Sequence, residues 1–395
     1  MTALAKKLVD RAVTIPTTKW EKWKYTSLKE VEAHLNTAPD LTHARNLTAA
    51  QLPVLPSGFA ATSGKIVLVD GIFRTDLSIL PQDFLITAEN EFTVSDEDQP
   101  LMHLNAQHAH EGMIITIPAK AHIENPLVIQ HISTGTISSA PRLTIKAETQ
   151  SEAVIVEIWQ GQNATTNNGV NNTSVNVTVE KAATLHHYRW QNESADTTHL
   201  VTSTITVDRD ASYDSFVLTT GAKLARQDST AHMIGENCEC RLNGVYMLAD
   251  KQHQDTTILV HHKAPHGRSN QTFKGIIDDH AKAVFQGKVF VHRGAQKTDG
   301  YQLNNALLLS NTAEVDVKPE LEIYADDVKC SHGATTGQID TGPLFYLRSR
   351  GLNEAQARLL LMQAFVGPAL DEIRNENIRE IFSEITLNWL QKHVA

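Results

Sequence analysis

Thr184-Leu-His-His-Tyr-Arg-Trp190 decides the fold, read together with Ala153-Val-Ile-Val-Glu-Ile-Trp159, Ser174-Val-Asn-Val-Thr-Val179 and Val201-Thr-Ser-Thr-Ile-Thr-Val207 around it. Each run is short and rich in β-branched and aromatic residues. Gly, Asn, Asp or Ser breaks it from the next, which is the pattern of strands. Outward towards the N-terminus the same pattern recurs at 112–118, 125–131 and 142–147. Towards the C-terminus it recurs at 213–218, 229–234, 240–248, 256–262, 271–277, 283–291, 302–309 and 314–317. No helical periodicity interrupts the span. A sandwich, a barrel, a propeller and a parallel β-helix all accommodate many short strands. The strands lack hairpin signals such as Asn-Gly between matched alternations. They also fill roughly 200 residues, long for one sandwich. Both features favour a parallel β-helix, although no strict short repeat is present. Stacked coils need capping elements at their ends.

The flanking sequence reads as those caps. The first thirty-five residues look helical, with Leu4, Leu8 and Val9 at helical spacing, followed by the aromatic stretch Trp20-Glu-Lys-Trp-Lys-Tyr-Thr-Ser-Leu28. Prolines 39, 53 and 56 mark a connection, and Lys65-Ile-Val-Leu-Val-Asp-Gly71 is a short strand ending in a turn. After residue 352, Asn353 is an N-cap with Glu354 in the first turn. A helix over 355–365 is interrupted by Gly367-Pro368, and a second runs from about 369 to 382 and on to 385–390. Leu359, Met362, Phe365 and Val366 share one face, as do Ile378, Ile381, Phe382 and Ile385. Packing on the β core explains these faces more simply than a groove for another protein. The chain divides into an N-terminal helical or mixed region (1–90), a β-helix core (110–335) and a C-terminal helical region (340–395).

Composition narrows the function. The 395 residues are 41% hydrophobic and 20% charged, a globular balance with room for a sizeable core. A net charge of -10 argues against nucleic acid and anionic membrane surfaces as partners. The start has no signal-peptide apolar core, and no run reaches the ~18 apolar residues of a membrane span. Three cysteines, Cys238, Cys240 and Cys330, make no disulfide framework and fit a reducing, cytoplasmic setting. Asn-x-Ser/Thr triplets, such as those at Asn163 and Asn176, are by-products of an Asn- and Thr-rich β segment. The phosphate-cradling glycine motifs, the nucleophile elbow and the His-Glu-x-x-His zinc helix are all missing. The chain therefore offers no nucleotide site of its own, and a self-sufficient enzyme of a common class is disfavoured.

Chemistry concentrates in Tyr324-Ala-Asp-Asp-Val-Lys-Cys330-Ser-His332-Gly-Ala-Thr-Thr-Gly337. On an extended strand Cys330 and His332 share a face, about 6–7 Å apart. Asp326 and Val328 join that face if the strand reaches so far. Thiol and imidazole suit iron, zinc or iron–sulfur chemistry, but two ligands leave a metal site incomplete. The missing ligands would come from a partner. A packed cysteine beside a hydrogen-bonded histidine explains the pair equally. Cys238-Glu-Cys240 also places two thiols on one face, but zinc wants four ligands. His232, His253, His261 and His262 are scattered in sequence, so two small core side chains are the preferred account. Asp326-Asp327 and Asp278-Asp279 resemble the carboxylate pairs of polysaccharide-cleaving β-helix enzymes. Adjacent strand residues point to opposite faces and cannot flank one glycosidic bond. A β-helix carbohydrate-active enzyme remains the alternative function.

Glu320-Leu-Glu-Ile-Tyr-Ala-Asp-Asp-Val-Lys-Cys-Ser-His-Gly-Ala-Thr335, with Leu344-Phe-Tyr-Leu-Arg-Ser-Arg-Gly351, resembles the SufB/SufD family of iron–sulfur cluster assembly proteins. Trp23-Lys-Tyr-Thr26, Leu104-Asn105, Lys274-Gly-Ile-Ile-Asp-Asp279, Phe285-Gln-Gly-Lys288 and Asn305-Ala-Leu-Leu-Leu-Ser310 extend the likeness over most of the chain. SufB members are longer and richer in cysteine, so the likeness is to the shorter branch. The resemblance implies a right-handed parallel β-helix between helical termini and a non-enzymatic scaffold role. It implies a heterodimer with a SufB-like subunit through the β-helix and a SufC-like ATPase bound by the C-terminal helices, with a homodimer when the chain is isolated. The nascent iron–sulfur cluster would be transient and shared with the SufB-like subunit. His332 would be this chain's main contributor at that interface, and Cys330 the second. Thr336 and Thr341-Gly-Pro343 depart from the family pattern without touching either residue.

Overall fold

The structure, a computed structural model, describes residues 13–39, 41–60, 62–90, 92, 99–134, 138–162 and 169–393. The β-branched runs form a β-solenoid of about seven turns, mainly β, with helices at both termini. Two sheets face each other. The first carries, in stacking order, β2 (Ile72–Phe73), β1 (Gly64–Val69), β5 (His122–Ser133), β7 (Glu152–Gly161), β9 (Thr184–Asn192), β11 (Ser212–Thr219), β13 (Glu239–Leu248), β15 (Arg268–Ile277), β17 (Asp299–Leu308) and β19 (Lys329–Gly337). The second carries β3 (Leu85–Glu89), β4 (Gly112–Ile117), β6 (Arg142–Ala147), β8 (Val170–Val179), β10 (Thr198–Val207), β12 (Leu224–Met233), β14 (His253–His262), β16 (Lys282–Val291) and β18 (Glu314–Ile323).

From β4 onwards the chain alternates between the sheets, and each strand pairs in parallel with the strand two further on. Register partners on successive coils are unevenly spaced: Thr198 pairs with Leu224, 26 residues on, and Lys282 with Glu314, 32 on. That variation lies in the turns, so the sequence shows no strict repeat although the strands stack in register. Many coil corners place a non-glycine residue at positive φ, among them Lys120, Gln150, Ala182, Asp210 and Asp250. Inward side chains from both sheets form the main core, which includes Ile66, Ile115, Ile145, Ile155, Leu185 and Val260.

The termini cover the outer faces of the two sheets. The expected helix around Leu4, Leu8 and Val9 lies outside the described residues. Between residues 13 and 35 the chain forms only a 3-10 turn at Glu21–Trp23 and the short helix α1 (Glu32–Leu35). The reason is docking. Trp23 and Leu28 are buried against the second sheet, not aligned along a helix face. The Arg226 guanidinium lies 3.8 Å from the Trp23 ring centroid. Asp255 accepts hydrogen bonds from both Thr26 and Arg226, and Arg226 Nη2 donates to the Lys22 carbonyl at 2.9 Å. A buried guanidinium needs such partners, although its Nε finds none among the described residues. Helix α2 (Thr42–Asn46) covers the first coil, and helix α3 (Pro100–His108) lies on β8.

Three C-terminal helices follow β19: α4 (Thr341–Ser349), α5 (Glu354–Leu370) and α6 (Glu376–His393). Asn353 caps α5 in a reciprocal box with Gln356, as its position before Glu354 predicts. Gly367-Pro368 does not interrupt that helix. Pro368 falls in its last turn, where one hydrogen bond is forfeited and the Asp371 N–H still reaches the Gly367 carbonyl at 2.9 Å. Lys274 Nζ on β15 donates to the Phe365 carbonyl at 2.6 Å, pinning this weakened turn to the sheet. The apolar faces do what packing predicts. Met362, Val366, Ile378 and Phe382 are buried against the outer face of the first sheet. The helices therefore flank the solenoid, and its final coil is uncapped among the described residues.

Candidate functional site

The final coil carries the Cys-x-His pair. β19 is extended from Lys329, so Cys330 and His332 share a face as expected. Asp326 and Val328 precede the strand and do not join it. Register fixes where the pair looks. Cys330 pairs with Gly300 and His332 with Gln302, and Gly300 and Gln302 are buried positions of β17. In-register residues of parallel strands point to the same side. Both side chains of the pair therefore face the solenoid axis, on the coil above which none of the described residues forms a further strand.

Their surroundings differ. Cys330 is half-buried and packs into a small cluster with Val289, Val291 and Ala325. Gly300 beneath it leaves room: a Cβ there would stand 3.4 Å from Cys330 Sγ. Burial pushes the thiol up, the Gly300 backbone pulls it down, and the Asp299 charge raises it further. A raised thiol stays protonated until a cation or metal draws the proton off. His332 is exposed, and its ring has no hydrogen-bond partner among the described residues. An imidazole free to ligate and a thiol needing activation form a soft donor pair, still two ligands short of a closed site.

The rim of this coil exposes several large apolar side chains among its charged ones. Tyr301, Ile323 and Tyr324 are exposed. On α4, directly after β19, Phe345 is 75% and Tyr346 56% exposed, although both sit in the Leu344-Phe-Tyr-Leu stretch. Asp340 caps that helix by accepting from the Gly342 N–H at 2.8 Å, which gives the Thr341-Gly-Pro343 segment a helical role.

The other sequence candidates are placed elsewhere. Cys238 and Cys240 are buried in the main core. Burial pushes the Cys238 thiol up to about 11 and the Cys240 thiol higher still. Of the four histidines, His253 bonds Thr26 at 3.1 Å, His262 lies inside against Ser269 at 2.8 Å, and His232 and His261 stack on the outer face of the second sheet. They do not converge on the cysteines. No group of three or more His, Cys, Asp or Glu among the described residues is arranged to hold a metal ion. Asp278-Asp279 and Asp326-Asp327 occupy turns; Asp327 is paired with Lys297, and Asp279 accepts from the Asp250 N–H at 3.0 Å.

Two buried polar groupings escaped the sequence reading. Glu157 on β7 sits between His131 Nε2 on β5 and His187 Nε2 on β9, each at 2.7 Å. Burial works to raise this carboxyl, but the two imidazoles hold it well below the usual carboxylate range. A carboxylate only accepts, so both Nε2 atoms carry protons. Burial keeps His187 neutral, and its Nδ1 accepts from the Tyr213 hydroxyl at 2.9 Å. The second grouping is Gln271 and Gln302, fully buried in register on β15 and β17. The signal for both is polar residues at inward parity, legible only once the coil register is known.

Comparison with known proteins finds sequence relatives over most of the chain. The SufBD core domain of the SUF system for FeS cluster assembly matches residues 129–365. An iron–sulfur cluster assembly SufBD family protein of Synechocystis is 32% identical over 389 residues, covering 92% of this chain and 84% of that protein. The iron–sulfur cluster assembly protein SufD of Escherichia coli (strain K12) is 31% identical over 382 residues, covering 93% and 87%.

Proposed function

This chain belongs to the SufBD family of iron–sulfur cluster assembly proteins, and from that membership we propose that it is a non-catalytic scaffold subunit that completes its site with a partner. One observation carries the reading: the solenoid ends on an uncapped coil whose axial face presents Cys330 and His332. An unpaired edge strand is a template for another chain's strand. A SufB-like subunit, itself a β-helix, would continue the stack across β18 and β19 and bring the missing ligands. The nascent cluster is the cargo. His332 offers it an imidazole, and Cys330 a thiolate once metal draws off its proton.

The C-terminal helices would engage a SufC-like ATPase, with Phe345 and Tyr346 as the exposed anchors. Nucleotide hydrolysis would then belong to the partner, and its cycle would open or close the shared site. The reading is tested by pull-down of the full chain from a cell extract with iron and sulfide analysis, repeated with His332→Ala. Co-purification of a second β-helix subunit and an ATPase, with cluster lost in the variant, is the expected result. Unchanged cluster content in an intact His332→Ala complex would remove His332 from the site.

A further inference from the structure

The coil beneath the pair holds an unexplained group. Gln302 is completely buried, and among the described residues neither its Nε2 nor its Oε1 has a hydrogen-bond partner. Gln271, one coil further in, is in the same condition. Leaving a buried amide unpaired costs about 1–3 kcal/mol, so such groups call for a reason. Space has been kept around Gln302. Gly287 faces it from β16, and a Cβ there would stand 3.1 Å from Gln302 Nε2. Gly300 lies two residues before it on the same strand, at the same inward parity. His332 stands directly above it in register, also without a partner.

We infer that Gln302 is the positioning residue for His332, its buried carboxamide orienting the imidazole ring above it. When a partner covers the final coil, His332 loses the water that now surrounds it. Within its own chain, the buried polar side chain one register step beneath it is Gln302. Gln302 Oε1 accepts the inward ring N–H, directly or through one water, and the outward nitrogen is left as the lone-pair donor. The hydrogen bond made by one imidazole nitrogen sets which tautomer presents the other to a metal. A glutamine suits this task because it is neutral and adds no charge to a buried site. The inference deepens the proposed function, since it assumes that His332 is a donor residue.

The test is nitrogen NMR of the full chain labelled with 15N-histidine, in complex with the co-purified subunits, comparing Gln302→Met with the unaltered protein. Methionine keeps the length and removes both the acceptor and the donor. We expect the two His332 ring nitrogens to be well separated in shift in the unaltered protein, one protonated and one not. In Gln302→Met they should move towards the averaged values of free histidine. Gln302→Asn, which keeps a neutral carbonyl acceptor, should restore part of the separation, which a merely structural role would not do. It also serves if the methionine variant folds poorly. Identical His332 nitrogen shifts in all three proteins would overturn the inference. Gln302-dependent shifts, together with a His332→Ala complex that still builds cluster, would sink the functional reading while leaving the positioning role standing.

Discussion

The first coil of the solenoid stops by reversing direction. β2 turns back antiparallel on β1, and β3 lies antiparallel to β4. A parallel stack cannot continue past an antiparallel strand without a crossover, and α2 closes this end further. Arg74 donates to the Ala44 and Leu47 carbonyls at the end of α2, at 2.7 and 2.9 Å. The last coil has no such stop. β18 and β19 are ten and nine residues long, parallel to the strands below, and largely uncovered. The interiors differ as well. Ile66, Leu68, Ile115, Ile117 and Ile145 fill the first coils, whereas Ser269, Gln271, Gln302 and Asn304 lie inside the last. An end that were merely the place where the chain ran out would not be expected to carry unpaired amides beneath a thiol and an imidazole. The contrast is what the proposed interface at the final coil would require, with the first coil as a boundary.

Truncations inside the two ends put the contrast to its hardest test. Ile115→Ala, fully buried on β4, should cost about 2–5 kcal/mol by urea unfolding. Val317→Ala, half-buried on β18, should cost well under half as much in the isolated chain. Equal losses would mean that the last coil is as well packed as the first.

Acid should act on the polar half. Burial holds the His262 ring down to about 4 in the folded chain, against about 6.5 in an unfolded one. Below pH 6.5 the unfolded chain takes up a proton that the native chain refuses. The stability contributed by neutral His262 is thus complete above pH 6.5 and is lost as the pH falls towards 4. Denaturation midpoints measured from pH 7 to 4 should fall less steeply in His262→Gln, by about 3 kcal/mol in total. A parallel decline in both proteins would place the acid lability elsewhere.

The smallest effect on folding should come at the open edge. Ser331 is exposed on β19, and Ser331→Lys should change stability by no more than about 0.5 kcal/mol. The same lysine should abolish co-purification of the second β-helix subunit, because a charge on an edge strand discourages pairing. Retained pairing with unchanged stability would move the interface away from β19.

Much of this molecule is written locally. Runs such as 142–147 and 184–190 announce strands because a pleated, half-buried surface wants β-branched and aromatic side chains. Asn353 announces the start of α5 because a helix leaves its first N–H groups unpaired. Spacing alone puts Cys330 and His332 on one face of a strand, whereas their role at an interface is only what the family resemblance implies. What the sequence could not express was anything set by contact at a distance. The tail helices look like end caps until Met362 and Phe382 are seen against the flank of the first sheet. The Trp23–Thr26 stretch looks helical until Arg226 and Asp255, some 200 residues on, take hold of it. Gly367-Pro368 reads as a break, yet a lysine from β15 secures the turn. Periodicity and propensity act over a few residues, so they decide elements and faces. Register, burial and the partners of a buried charge depend on which coil lies next to which, and only the tertiary structure decided that His332 stands above Gln302 at an end left open.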